Sequence, residues 1–169
     1  MVVGHDRPMT PRCLARIAAA SLAPAAGAVR PPLPDHRIRP GIGAGGVRLG
    51  MSEGQVLMVL GQPDARHPRS TGDGAVIDLA WPGITVRRWD GPGGRVLQVE
   101  ITDRGIRLDN GIGVGSTRSA IRAAFPGSRC DGARSLCTVD EDVPDGSVLT
   151  IRLGQADRVT GISVARVLD

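Results

Sequence analysis

Lysine and tyrosine are missing from this 169-residue chain, and the aromatics amount to two Trp and one Phe. Val, Ile, Leu and Ala must therefore fill the interior, and the length suits one domain with an ordinary core. Because Lys is absent, all 21 basic residues are Arg, which we read as codon usage in a GC-rich genome rather than as a binding feature. Metal-ligand spacings and clustered acid pairs are missing too. His36 and His67, the two His beyond residue 28, both stand in Pro-rich, turn-like contexts. The chain is accordingly expected to be no enzyme and to carry no cofactor and no metal.

The formal charge is +4, but beyond residue 28 there are 18 Arg against 16 Asp plus Glu, which leaves +2. These Arg are scattered along the chain, whereas phosphate binding gathers them into a stripe, so nucleic acid is not expected as a partner.

The N-terminus reads as an export signal. Met9-Thr-Pro-Arg-Cys-Leu-Ala-Arg16 is basic, residues 17–28 are Ala-rich and apolar, and Ala26-Gly-Ala28 has the small-x-small form of a cleavage site. Met9 is an alternative start, and a disordered Ala/Pro-rich tail is the competing reading. No other run approaches the roughly 18–20 apolar residues of a membrane span. Thr-Pro-Arg precedes Cys13 where a lipid-attachment site would have small apolar residues, so no lipid anchor is expected. Cleavage would leave Cys130 and Cys137, an even pair that in an exported chain suggests a disulfide. The expected location is the periplasm or the medium.

The chain then repeats itself. Gly46-Val-Arg-Leu-Gly-Met-Ser-Glu-Gly-Gln-Val-Leu-Met-Val-Leu-Gly-Gln-Pro63 is echoed 65 residues later by Gly111-Ile-Gly-Val-Gly-Ser-Thr-Arg-Ser-Ala-Ile-Arg-Ala-Ala-Phe-Pro-Gly-Ser128. Residues 29–45 read as a Pro/Gly-rich linker, 46–102 as repeat 1 and 103–169 as repeat 2, the two forming one domain. Each repeat should open with a helix. The first spans about Ser52–Leu60, with Ser52 and Gln55 spaced as a capping box and Gly61 and Pro63 as the stop. The second runs from Ser116 or Thr117 to about Phe125. Three strands should follow each: Ala75–Trp81, Ile84–Asp90 and Arg95–Thr102, then Leu136–Val139, Val148–Leu153 and Arg158–Arg166, as antiparallel hairpins.

Two motifs inside this region favour structural readings. G-x-G-x-x-G at Gly41, Gly43 and Gly46 lacks the preceding strand and following helix of a dinucleotide site. G-x-S-x-G around Ser52 lacks a correctly placed His and acid, and the echo at Ser116 loses the pattern, so Ser52 reads as a helix cap.

Alternation assigns faces to the strands. Ile77, Leu79, Trp81, Ile84, Val86, Leu97, Val99, Ile101, Leu149, Ile151, Leu153, Ile162 and Val164 should turn to the helices. Asp78, Thr85, Arg87, Trp89, Gln98, Glu100, Thr150, Arg152 and Ser163 should form the opposite, solvated face.

The pattern Leu49-Gly-Met-Ser-x-x-x-Val56-x-x-x-Leu60-Gly61-x-Pro63, followed by a Trp-bearing strand and a hairpin, resembles one repeat of the β-lactamase-inhibitor-protein-like fold. A similar repeat occurs in the small lipoprotein of the outer-membrane barrel-assembly machinery. The resemblance covers about residues 46–166. It implies an α+β fold in which two tandem helix-plus-meander repeats make one continuous antiparallel sheet with helices on one face. It also implies export and protein binding rather than catalysis. This chain departs from the inhibitors in having only Trp89 as an aromatic on the open face, and from the lipoprotein in lacking an anchoring Cys.

The expected function is a non-enzymatic binding or scaffold module of the cell envelope, for a protein partner that the sequence does not name. Arg87, Trp89, Glu100 and Arg152 are the candidate contacts, since Trp and Arg are enriched in binding hot spots. Arg and Glu on a solvated face also commonly form cross-strand ion pairs, and Trp89 could equally cover an edge of the core. The alternative function is inhibition of an extracellular hydrolase such as a β-lactamase or protease, through the hairpin loop at 90–94 or the acidic loop at 140–146.

Overall fold

A computed structural model of the chain describes residues 35–167 apart from 73, 134 and 141–145. The export signal at 1–28 and most of the acidic loop at 140–146 lie outside the described residues.

Residues 35–48, most of them expected to be linker, instead build secondary structure. β1 (Arg37–Arg39), β2 (Gly43–Ala44) and β3 (Val47–Arg48) are short antiparallel neighbours. Ile38, Ala44 and Val47 are each buried, and that burial holds strands too short to be stable alone. Gly43 is required here: its φ is +150°, and a Cβ would run into the carbonyl oxygen of Val47. The middle glycine of the apparent nucleotide motif therefore serves a tight hairpin. β8 (Arg107–Leu108) lies parallel to β1 and completes a four-stranded sheet in the order β3-β2-β1-β8.

Helix α1 (Glu53–Leu60) starts at Ser52 with both halves of the capping box in place. The Ser52 side chain accepts from the Gln55 N–H, and the Gln55 side chain accepts from the Ser52 N–H at 2.9 Å. Its buried residues are Val56 and Leu60. Helix α2 (Arg118–Ala124) is capped by Thr117, whose side chain accepts from the Ala120 N–H, and buries Ile121. Ser52 is thus a cap, as its spacing predicts.

In the large sheet, four strands, not three, follow each helix. After α1 come β4 (Ala65–Thr71), β5 (Gly74–Trp81), β6 (Ile84–Trp89) and β7 (Val96–Ile101). After α2 come β9 (Arg129–Asp131), β10 (Leu136–Val139), β11 (Ser147–Leu153) and β12 (Val159–Arg166). All eight form one antiparallel sheet in the order β4-β5-β6-β7-β12-β11-β10-β9. Its centre is the pairing of β7 with β12, where Val99 faces Val164 and Ile101 faces Ile162. Both extra strands are outermost. β4 escaped the sequence reading because its centre is His67-Pro68, and Pro is tolerated in a strand at a sheet edge.

The small sheet, both helices and the alternate strand residues share one core. Ile38, Val47, Val56, Leu60, Leu79, Val86, Val99, Ile121, Ile151 and Val164 all belong to it, each fully buried side chain contributing roughly 1.5–3 kcal/mol of transfer free energy. Alternation is interrupted by two irregularities, one between Arg152 and Leu153 against β12 and one that changes the core. The register shifts between Arg87 and Arg88, so Gln98 faces Arg87 while Val96 faces Arg88, and Leu97 is the extra residue of a bulge. Val96 therefore joins the core in place of Leu97, which is buried outside it. Ile77, expected in the core, is only half-buried at its margin.

Arg88 turns inward to the start of α1, where Glu53 receives Arg88 and Arg66, each at 2.6 Å. Burial weighs against the Glu53 charge, but the hydrogen bonds and charges of the two guanidinium groups outweigh it. The carboxyl is held below its ordinary value of 4.5. Cys130 and Cys137 stand directly opposite each other on β9 and β10 and form the expected disulfide.

Candidate functional site

The sheet face turned away from the core carries the predicted contacts, on adjacent strands. Arg87 lies on β6 and Glu100 on β7; β12 comes next, and Arg152 follows on β11. Their side chains are already engaged. Arg87 donates through Nε and Nη2 to the two oxygens of Asp78 on β5, at 2.7 and 3.0 Å, and through Nη1 to Gln98 on β7 at 3.2 Å. The Asp78 bonds, against the opposing effect of burial, raise the Arg87 pKa further above its ordinary value. Asp78 also receives Arg69 of β4 at 2.9 Å. One carboxylate, with only 5 % of its side chain exposed, thus holds two guanidinium groups.

Glu100 and Arg152 form an ion pair that spans β12, the strand between theirs. Residue 161 makes the span possible: a Cβ at Gly161 would lie 3.3 Å from Glu100 Oε1 and 3.7 Å from Arg152 Nη1. The rest of β12 on this face is small as well. Gly161, Ser163 and Ala165 floor a hollow of about 290 Å³, with Gln98 on one side and Thr150 and Arg152 on the other. Trp89 is not a free-standing anchor. It is half-buried across from Val76, and its ring occupies the space left by the missing side chain of Gly74, where a Cβ would be 3.2 Å from Cζ3.

Three members of this network were not singled out from sequence as contacts. Asp78 and Gln98 were legible as open-face residues by alternation, but the burial and double pairing of Asp78 were not. Arg69 was hidden because β4 did not read as a strand. His67, whose register partner is Asp78, is exposed. Among the described residues no group of three or more His, Cys, Asp and Glu could hold a metal ion, and no helix is long and apolar enough to cross a membrane.

No protein-family model and no curated protein sequence matches the chain. Among solved structures it is similar to the uncharacterized protein yfeY from Escherichia coli, with 12 % identity, a TM-score of 0.47, and coverage of 69 % of this chain and 90 % of that one. It is also similar to a DUF4309 family protein, YjgB, from Bacillus subtilis, with 12 % identity, a TM-score of 0.44, and coverage of 72 % of this chain and 82 % of that one. Likenesses at this level carry nothing about activity or partner.

Proposed function

We propose that the chain is an exported, non-enzymatic protein-binding module whose partner docks on the outward sheet face. The observation that carries this reading is the hollow over β12. It is flanked by side chains whose positions are fixed before any partner arrives: Gln98, held by Arg87, on the β7 side and Arg152, paired with Glu100, on the β11 side. Side chains ordered in advance lose less entropy on binding than free ones. The face also offers Arg and Trp, the residue types that dominate interface energetics.

The same reading takes the domain as two tandem helix-and-meander repeats of the β-lactamase-inhibitor-protein-like kind, with helices covering one face. Its support is that each helix is followed by four strands of the large sheet, and the capped helix starts at Ser52 and Thr117, which keep the 65-residue offset.

The test avoids Arg87, whose loss would strand a buried carboxylate. Ser163→Arg fills the hollow from its floor, and Trp89→Ala removes the aromatic. Wild type and the double variant are compared in pull-downs from cell envelope, with circular dichroism to establish that both are folded. Loss of one or more partners in the variant is expected; recovery of every partner in equal amount removes this face as the docking site.

A further inference from the structure

A second surface stands apart from the outward sheet face, around the hairpin of β1 and β2. Sequence alone scatters the arginines, but the fold gathers four of them here. Arg37, Arg39 and Arg48 line a hollow of about 270 Å³ with Ile42 and Val59. Arg48 and Ile42 also line an adjoining hollow of about 230 Å³, together with Leu49 and Arg166. Arg37 is paired with Asp109 and Arg39 with Asp35. Arg48 and Arg166 have no carboxylate partner among the described residues, so the described residues of the rim carry a surplus of two positive charges.

Two of the large aliphatic side chains left exposed among the described residues stand here, Ile42 at 46 % and Val167 at 47 %. Ile42 belongs to both hollows, and Val167 follows Arg166 and donates its N–H to Gly146 of the second hollow at 2.8 Å. Apolar side chains exposed together and rimmed by charge mark interaction surfaces. Ile42 is held firmly: its N–H donates to Arg39 O at 3.1 Å and its carbonyl accepts from Leu49 N–H at 2.8 Å. A backbone ordered in advance has less entropy left to lose on contact.

We propose that this surface binds an extended acidic segment of another protein, whose aliphatic side chains enter the two hollows while its carboxylates meet Arg48 and Arg166. Two recesses sharing a wall suit alternate side chains of one extended chain, which point the same way at every second residue. A flat bilayer, by contrast, would be met by protruding groups rather than recesses.

The test uses the full chain and three blocked pentapeptides, followed by amide chemical-shift titration. Acetyl-Glu-Leu-Glu-Leu-Glu-amide carries both features, the Gln-Leu-Gln-Leu-Gln analogue removes charge, and the Glu-Ser-Glu-Ser-Glu analogue removes apolar contact. We expect the first to shift residues 41–49 and 166–167, with each analogue at least about ten-fold weaker. Arg48→Gln with Arg166→Gln should weaken the first peptide by about ten-fold or more, as should Ile42→Ser alone. Ser163→Arg on the outward face should leave its binding unchanged, so this proposal and the previous one fail separately. Peptide binding unaffected by Arg48→Gln/Arg166→Gln would overturn the proposal, and so would absence of peptide shifts. Vesicles containing phosphatidylglycerol binding through these residues while the peptide does not would overturn it in favour of a lipid surface. Concentration-dependent dimerisation lost in Ile42→Ser would overturn it in favour of a second copy.

Discussion

Replacing Asp78 by Asn keeps the shape of the side chain and removes its charge at a buried position on the outward face. Two guanidinium groups lose their counter-charge: Arg87, bound at 2.7 and 3.0 Å, and Arg69 at 2.9 Å. Removing one member of a fully buried pair costs about 3–5 kcal/mol. Arg69 has 60 % of its side chain exposed and Arg87 34 %, so both partly regain water. The expected cost is therefore about 2 kcal/mol. With a urea dependence of about 1.5 kcal/mol/M, the unfolding midpoint at pH 7 should fall by roughly 1 M. Glu100→Gln is the control. Its partner Arg152 is 53 % exposed, so that change should cost well under about 1 kcal/mol. Coupling between Asp78→Asn and Arg87→Gln in a double-mutant cycle should be about 1 kcal/mol or more. An Asp78→Asn midpoint no lower than that of Glu100→Gln would refute the ranking of the two acids and the network drawn from it.

Glu53 supplies a pH dependence. Its carboxyl is held below 4.5 in the folded chain, so its contribution is complete above that value and disappears as pH falls through the lower, folded one. Glu53→Gln should cost about 1–2 kcal/mol at pH 7, and the gap to wild type should close in acid; a gap unchanged between pH 7 and pH 3 in urea melts would contradict the assignment. The disulfide closes a loop with a sequence separation of 7, for which chain entropy gives about 2–3 kcal/mol. Cys130→Ala/Cys137→Ala should lose about that much, and intact mass of the unreduced chain should be lighter by two hydrogens. An undiminished melting temperature in the double variant would show that the crosslink contributes nothing.

The local signals in the chain were strong where chemistry is local. Ser52 and Gln55 fixed the start of α1 through two hydrogen bonds reaching only three residues. Leu136–Val139 was read to the residue because alternation there meets no bulge. The signals failed where a long-range partner decides. Ile38 and Ala44 look like linker residues until the shared core buries them. His67-Pro68 looks like a turn until β5 pairs with it along its length. Leu97 was placed in the core because period-2 counting cannot see the bulge that puts Val96 there instead.

The candidate contacts divide in the same way. Alternation alone put Arg87, Trp89, Glu100 and Arg152 on the outward face, since side-chain direction along a strand is a local property. Only the tertiary structure decided what each one does there. Strand order places Glu100 and Arg152 two strands apart, with Gly161 beneath their ion pair. It also sets Arg69 and Arg87 on either side of Asp78. The gathering of Arg48 and Arg166 beside Ile42 depends on a hairpin packing against β7 and β12. Sequence separation carries no information about that contact.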